Sequence, residues 1–432
     1  MERVRAIILA IAIIGITALQ DRRIAPYCAV QHKMRPIAPD RRRGRLGDFR
    51  VTRLSATIAR LAAMRGRHPT QAISNSPTHL ADLNAFGTNP GALTARSYVP
   101  ERIAEKPALV VVLHGCTQNA EGYDRGSGWS QLADEYGFLL LFPEQQRANN
   151  PNLCFNWFSP ADNYRDKGEA LSIRQMIMAM VNAHGVDPSR IFVTGLSAGG
   201  AMTSVMLASY PELFAGGAII AGLPHGSASN IPQALEAMRG AGAFSAKDLG
   251  DRVRRASDHD GPWPRISIWH GSADATVSST NADAILAQWL SVHGLEPAPD
   301  ALEQIAGHRR RAWNDATGRP LIEDYRIANM GHGTPLATTG EDACGTVMPH
   351  MLEAGISSTR RIASSWGLLE TGQERQFARS VGNAQEGTPT LPVSKVSRLE
   401  AQPCEPSPPA ASGKAGVEKV IHDALRAAGL MR

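Results

Sequence analysis

Apolar positions along this chain follow two spacings that take turns. Short, nearly unbroken apolar runs occur at 108–113, 138–142, 191–193 and 218–221, with the length and β-branched content of buried strands, and Ile322 to Ile327 reads as the last strand. Leu93 to Val99 reads as a strand leading into them, Pro264 to Asp274 as a short strand that ends in an acid, and Pro143 as the residue that closes 138–142. Between these runs, apolar residues recur every three to four positions over 128–136, 169–183, 201–207 and 281–292, which predicts helices. Strand and helix in alternation predict an α/β fold, a mostly parallel, doubly wound sheet with helices on both faces.

The pattern weakens at both ends. Residues 1–85 read as an apolar segment, a basic linker and an amphipathic helix, residues 86–369 as the catalytic body, and residues 370–432 as a Pro-, Ser- and Gln-rich linker with a short C-terminal helix at 417–430. Ala6 to Leu19, behind two arginines, has the length of a secretory h-region, which predicts export to the envelope or outside the cell. No small-x-small cleavage site follows it. An uncleaved anchor touching the membrane through 6–19 is therefore a second reading, and a cytoplasmic protein with its start at Met34 or Met64 is a third. Inside the body, Ser227 to Asp260 is a small-residue segment with helical pieces, read either as a cap over the site or as a surface excursion.

Composition changes little in this picture. The chain has 432 residues, 43% of them hydrophobic and 20% charged, as an ordinary globular enzyme does. Its net charge of +5 owes much to the cluster Arg35, Arg41, Arg42, Arg43 and Arg45, so the body offers no basic face for nucleic acid. Five cysteines without a C-x-x-C pair argue against a zinc site, and nothing else in the chain implies a metal or cofactor. Cys116, Cys154 and Cys344 lie in the body and allow one bridge plus one free thiol, with the pairing left open.

Candidate chemistry centres on the step from Ile191 through Gly195-Leu196-Ser197-Ala198-Gly199 into a helix. A tight strand-to-helix corner needs small flanking residues and leaves free N–H groups at the helix start, so Ser197 is the candidate nucleophile. Asp274, on the turn after a strand and downstream of the serine, is the candidate acid, with Asp258, Asp260 and Asp324 as weaker alternatives. His332 follows the last predicted strand on a glycine-flanked loop and is the candidate base; His350 and His308 have no predicted strand before them. His114, His225 and His270 come too early for the order Ser, Asp, His and read as supporting groups. The oxyanion donors expected of that order are the N–H of Ala198 and an N–H of the loop after 108–113, for which Cys116 is the candidate. Gln118 on that loop and Trp157 on the long loop 149–166 are candidate substrate contacts, with packing an equal reading for Trp157.

With these residues in place, the chain resembles the poly(hydroxybutyrate) depolymerase family of serine esterases, which also holds feruloyl and acetylxylan esterases. The likeness covers about 86 to 369. It rests on Leu113-His114-Gly115-Cys116-Thr117-Gln118, Gly168-Glu169-Ala170, the Ser197 elbow, His270-Gly271-Ser272-Ala273-Asp274, Gly331-His332-Gly333 and Gly355-Ile356-Ser357-Ser358-Thr359. The resemblance implies an α/β-hydrolase fold, the triad Ser197, Asp274 and His332, and a disulfide between Cys116 and Cys154. It implies an ester substrate, either hydroxyalkanoate oligomers or polyester, with plant polysaccharide esters as the alternative. Many relatives place Ala-Trp after the histidine where this chain has Gly333-Thr334, so the pocket wall there is expected to differ.

Overall fold

A computed structural model describes residues 79–369 apart from Ala243. The apolar run 6–19, the amphipathic helix before the body, the linker after 370 and the helix at 417–430 lie outside the described residues.

Ten strands form one sheet in the order β1-β2-β4-β3-β5-β6-β7-β10-β9-β8. They are β1 Ala81–Asp82, β2 Thr94–Tyr98, β3 Leu109–Leu113, β4 Leu139–Glu144, β5 Ile191–Leu196, β6 Gly216–Ile220, β7 Arg265–Gly271, β8 Ala301–Ile305, β9 His308–Asn314 and β10 Pro320–Ile327. The six from β4 to β10 run parallel, and the edge pairings β1-β2, β2-β4, β10-β9 and β9-β8 are antiparallel. The central strands are apolar without a break because both faces are covered. Leu109, Val111 and Leu113 of β3 enter one core, while Val110 and Val112 enter the other. Helices α3 (Gly168–His184), α4 (Ala198–Ser209) and α7 (Thr280–His293) contribute to the first core. Helices α1 (Ala120–Ser127), α2 (Trp129–Tyr136) and α8 (Ser358–Ser365) contribute to the second.

Four differences from the sequence reading have physical causes. Pro143 sits inside β4, because β4 pairs with β3 only through Leu139 to Leu141 and the missing N–H falls beyond that ladder. Helix α1 carries Gly122 and Gly126 and so shows little helical signal; its start is fixed by the Asn119 side chain, which accepts from the Gly122 N–H at 2.9 Å. Strands β8 and β9 are polar and turn through Ala306 and Gly307, both at positive φ, without the Asn-Gly signature of such a hairpin. An ion pair from Arg310 to Glu303 joins β9 to β8, and pairs from Arg310 to Glu323 and Arg311 to Asp324 reinforce the ladder to β10, where Trp313 opposite Ile322 adds to the core. Finally, β10 is not the last strand: β11 (Thr334–Leu336) and β12 (Met351–Glu353) form a separate parallel pair, joined only by distant pairing that a local period does not show.

Candidate active site

Parallel strands deliver their C-terminal ends to one rim of a sheet, and loops there meet in space. Leu113 of β3 leads into the loop 114–118, Leu196 of β5 into Ser197, Gly271 of β7 into Asp274, and Ile327 of β10 into His332. Ser197 has φ 57° and ψ −116°, a left-handed conformation costly for any residue but glycine. The corner closes because Gly199 lacks a side chain; a Cβ there would lie 2.2 Å from the Leu113 carbonyl oxygen. Ala198 then opens α4, whose first N–H groups lack partners within the helix.

His332 Nδ1 lies 2.7 Å from Asp274 Oδ2. A carboxylate accepts, so Nδ1 carries the proton and Nε2 keeps its lone pair. The other carboxylate oxygen, Oδ1, accepts from the N–H groups of Thr276 at 2.8 Å and Val277 at 2.9 Å. The Asp274 side chain has no exposed surface. Burial works against its ionised form, but hydrogen bonds from His270 and His332 outweigh it and hold the carboxyl well below the usual range. His270, four residues upstream on β7, donates through Nε2 to the Val277 carbonyl at 2.9 Å and lies 3.4 Å from Asp274 Oδ2. Asp324 is instead buried in ion pairs with Arg311 and Arg326 on the sheet. Asp258 and Asp260 lie on the loop before β7, and neither has a hydrogen bond to a histidine among the described contacts.

Ser197 stands where two cavities meet. One, of about 200 Å³, holds Ser197, Ala198 and Cys116 with Asn150, Asn152 and an apolar wall that includes Trp157, Phe158, Leu223, Leu235 and Val277. The other, of about 280 Å³, holds Ser197 with His332, Gln118, Thr117, Thr276 and His350 beside apolar Leu196 and Met238. Helix α5 (Ile231–Met238) gives Leu235 and Met238 to the first cavity, so that part of 227–260 borders the site. Trp157 lines the first cavity and packs edge-on against Phe158 at 5.5 Å. Gln118 uses its Oε1 to accept the Gly115 N–H at 2.8 Å, so its amide nitrogen is the end left to donate. A further cavity of about 570 Å³ lies at the N-terminal ends of β7 and β10, away from Ser197, and its Arg310 is matched by Glu303 and Glu323.

The first cavity is held by a chain of polar contacts that the sequence did not announce. Cys116 and Cys154 are joined by a disulfide. Beside it, the Thr117 N–H donates to the Asn152 carbonyl at 2.7 Å, and Asn150 Oδ1 accepts the N–H groups of Asn152 and Cys154. Asn150 Nδ2 reaches Asn156 Oδ1 at 2.9 Å, and Asn156 donates its backbone N–H and its side-chain amide to Glu169, each at 2.7 Å. Gln145 adds a third donor to Glu169 at 2.6 Å. Glu169 is fully buried; that burial pushes its carboxyl up to about 8 against the hydrogen bonds from Asn156 and Gln145. His114 ties the same two loops: the Gln145 N–H donates to its Nε2 at 3.1 Å, so Nδ1 carries the proton and donates to the Gly115 carbonyl at 2.8 Å. Burial lowers the pKa of that imidazole, in keeping with a neutral ring.

Known proteins with similar chains agree with this architecture. A family model described as esterase PHB depolymerase matches residues 93–312. Poly(3-hydroxyalkanoate) depolymerase C of Paucimonas lemoignei is 43% identical over 301 residues, covering 69% of this chain and 72% of that protein. An acetylxylan esterase of Coprinopsis cinerea is 34% identical over 267 residues, covering 60% and 70%. Among solved structures, the acetyl xylan esterase from Aspergillus awamori superposes with a TM-score of 0.58 at 25% identity, over 67% of this chain and 99% of that one. The chain therefore belongs to the esterase PHB depolymerase family of carboxylic ester hydrolases and has their α/β-hydrolase fold.

Proposed function

We propose that this chain is a serine esterase that splits short hydroxyalkanoate esters through Ser197, Asp274 and His332. His332 Nε2 takes the Ser197 hydroxyl proton as Oγ attacks the ester carbonyl, and Asp274 fixes the imidazole and stabilises its cation. The N–H groups of Ala198 and Cys116 hold the oxyanion. The imidazolium then gives its proton to the departing alkoxide, leaving an acyl group on Ser197. Water, deprotonated by the same imidazole, attacks the acyl carbon and releases the acid.

The observation that carries this reading is the 2.7 Å contact from His332 Nδ1 to an ionised, buried Asp274, with His332 and the strained Ser197 lining one cavity. The small apolar cavity beside Ser197 suits a short acyl chain, and the Paucimonas relative bears on hydroxyalkanoates. The acetylxylan esterase relatives keep plant polysaccharide esters as the second reading. The catalytic unit is residues 86–369, flanked by 1–85 and 370–432. The disulfide supports an exported enzyme, since such bonds persist in oxidising compartments.

The test is hydrolysis of p-nitrophenyl esters of increasing acyl length, 3-hydroxybutyrate oligomers, methyl ferulate and acetylated xylan by wild type and Ser197→Ala. Wild type is expected to favour short acyl groups and oligomers, with Ser197→Ala slower by about 10⁴-fold or more on every substrate that is cleaved. A Ser197→Ala protein that keeps wild-type rates removes the nucleophile.

A further inference from the structure

Of the cavities on the two sides of Ser197 one holds His332 and the other does not, and that difference bears on which half of an ester each one receives. In acyl transfer the protonated histidine must reach the oxygen of the leaving alcohol, so that alcohol departs on the side where the imidazole stands. His332 lines only the 280 Å³ cavity; the Trp157 cavity lacks it. On the esterase reading, therefore, the Trp157 cavity takes the acyl half and the His332 cavity takes the alcohol half.

The alcohol-side cavity holds no Lys, Arg, Asp or Glu; its polar groups are Thr117, Gln118, Thr276, His350 and the catalytic pair. His350 is the unexpected member. It has φ 65°, a strained backbone for a non-glycine residue, and its ring stands 5.8 Å from that of His332. Its position depends on tertiary pairing: the Thr334 N–H donates to the His350 carbonyl at 2.8 Å, and β11 runs alongside β12 from Thr334 opposite Met351. Gly333 makes the approach possible, since a Cβ there would come within 2.7 Å of the His350 carbonyl oxygen. The Gly333-Thr334 pair after His332 is thus what admits His350 to the cavity wall.

Hydrogen bonding fixes what His350 offers. Its Nδ1 lies 3.2 Å from the His332 carbonyl, which only accepts, so in the neutral ring Nδ1 carries the proton and Nε2 is an acceptor. Gln118, its oxygen committed to Gly115, supplies a donor. We infer that His350 is a specificity-determining residue whose Nε2 accepts a hydrogen bond from a hydroxyl on an uncharged alcohol half, while Gln118 donates to a carbonyl or hydroxyl oxygen there. This rests on the esterase reading of Ser197 and extends it to the leaving group.

Pairs of butyrate esters with a common acyl-enzyme test it. In the first pair, 2-hydroxyethyl butyrate and propyl butyrate differ by a hydroxyl in place of a methyl. In the second, the alcohol half carries an ester carbonyl or the matching methylene. One hydrogen bond at a half-open site predicts a wild-type kcat/KM preference of roughly three- to tenfold for the hydroxyl ester. His350→Ala should erase that preference and His350→Gln restore part of it. The carbonyl pair and the p-nitrophenyl acyl-length profile should stay as in wild type. A hydroxyl preference that survives His350→Ala, or an acyl-length profile that shifts with it, overturns the assignment. If wild type cleaves none of these esters, the esterase reading itself fails, an outcome distinct from an unchanged preference.

Discussion

Asp274 and Glu169 are both carboxylates stripped of solvent near Ser197, and their surroundings drive them in opposite directions. Asp274 meets two imidazoles, one of which can become a cation, and two backbone N–H groups of its own turn. Glu169 accepts from neutral amides of Gln145, Asn149 and Asn156, and the charge of Asp162 works against its ionisation. Dipoles alone do not repay the loss of water around a charge, whereas dipoles plus an adjoining charge-bearing ring do. The first environment keeps an anion beside His332, as the proposed mechanism requires. The second makes a rigid knot that holds the loop bearing Cys154 and Trp157.

The two groups therefore give opposite pH dependence. The folded pKa of Asp274 lies below its ordinary 3.8, so its stabilisation is present above that value and is lost as the pH falls through the folded pKa. The Glu169 pKa is raised from 4.5 to about 8, so the folded protein holds a proton that the unfolded chain has released. Its stabilisation is full below 4.5 and is lost as the pH rises toward 8.

The largest expected effect is on Asp274. Asp274→Asn should keep the fold by circular dichroism and lower kcat on p-nitrophenyl butyrate by about 10⁴, the loss typical when a triad imidazole is left in the wrong tautomer. A loss of less than tenfold would place Asp274 with Glu169 as a structural acid. Next comes the disulfide, which closes 38 residues of chain between the two loops that Glu169 and His114 also tie. Replacing both Cys116 and Cys154 by serine should cost about 4 kcal/mol of unfolding free energy in urea. A cost near zero would mean that the Glu169 knot holds the loop unaided. The smallest effect is expected from Glu169→Gln. Urea stability measured from pH 5 to pH 8 should fall for wild type relative to the variant, by a few kcal/mol at most. Parallel curves for the two proteins would show that Glu169 is ionised throughout, like Asp274.

How far the sequence foretold the molecule depends on how local each feature is. The β8–β9 hairpin escaped because its residues are mostly polar and show no apolar period, and α1 escaped because its two glycines dilute the helical signal. His270 was legible only as a supporting group, and the structure supplies the partner, Asp274, four positions on along one strand end and turn. Glu169 stood out only as part of a Gly-Glu-Ala motif; nothing around it says that Asn156 and Gln145 turn toward it.

By itself the sequence determined the alternation of strands and helices, the Ser197 corner and the order of serine, acid and histidine. Each of these is written in neighbouring residues: a buried strand must be apolar on both faces, and a tight turn must be flanked by small side chains. Only the tertiary structure decided that Ser197 stands between a cavity walled by Trp157 and one lined by His332, that Glu169 braces the wall of the first, and that His350 stands beside His332 in the second. Those placements come from the register of β11 on β12 and from loops crossing one another, and pairing between distant segments leaves no period in either of them.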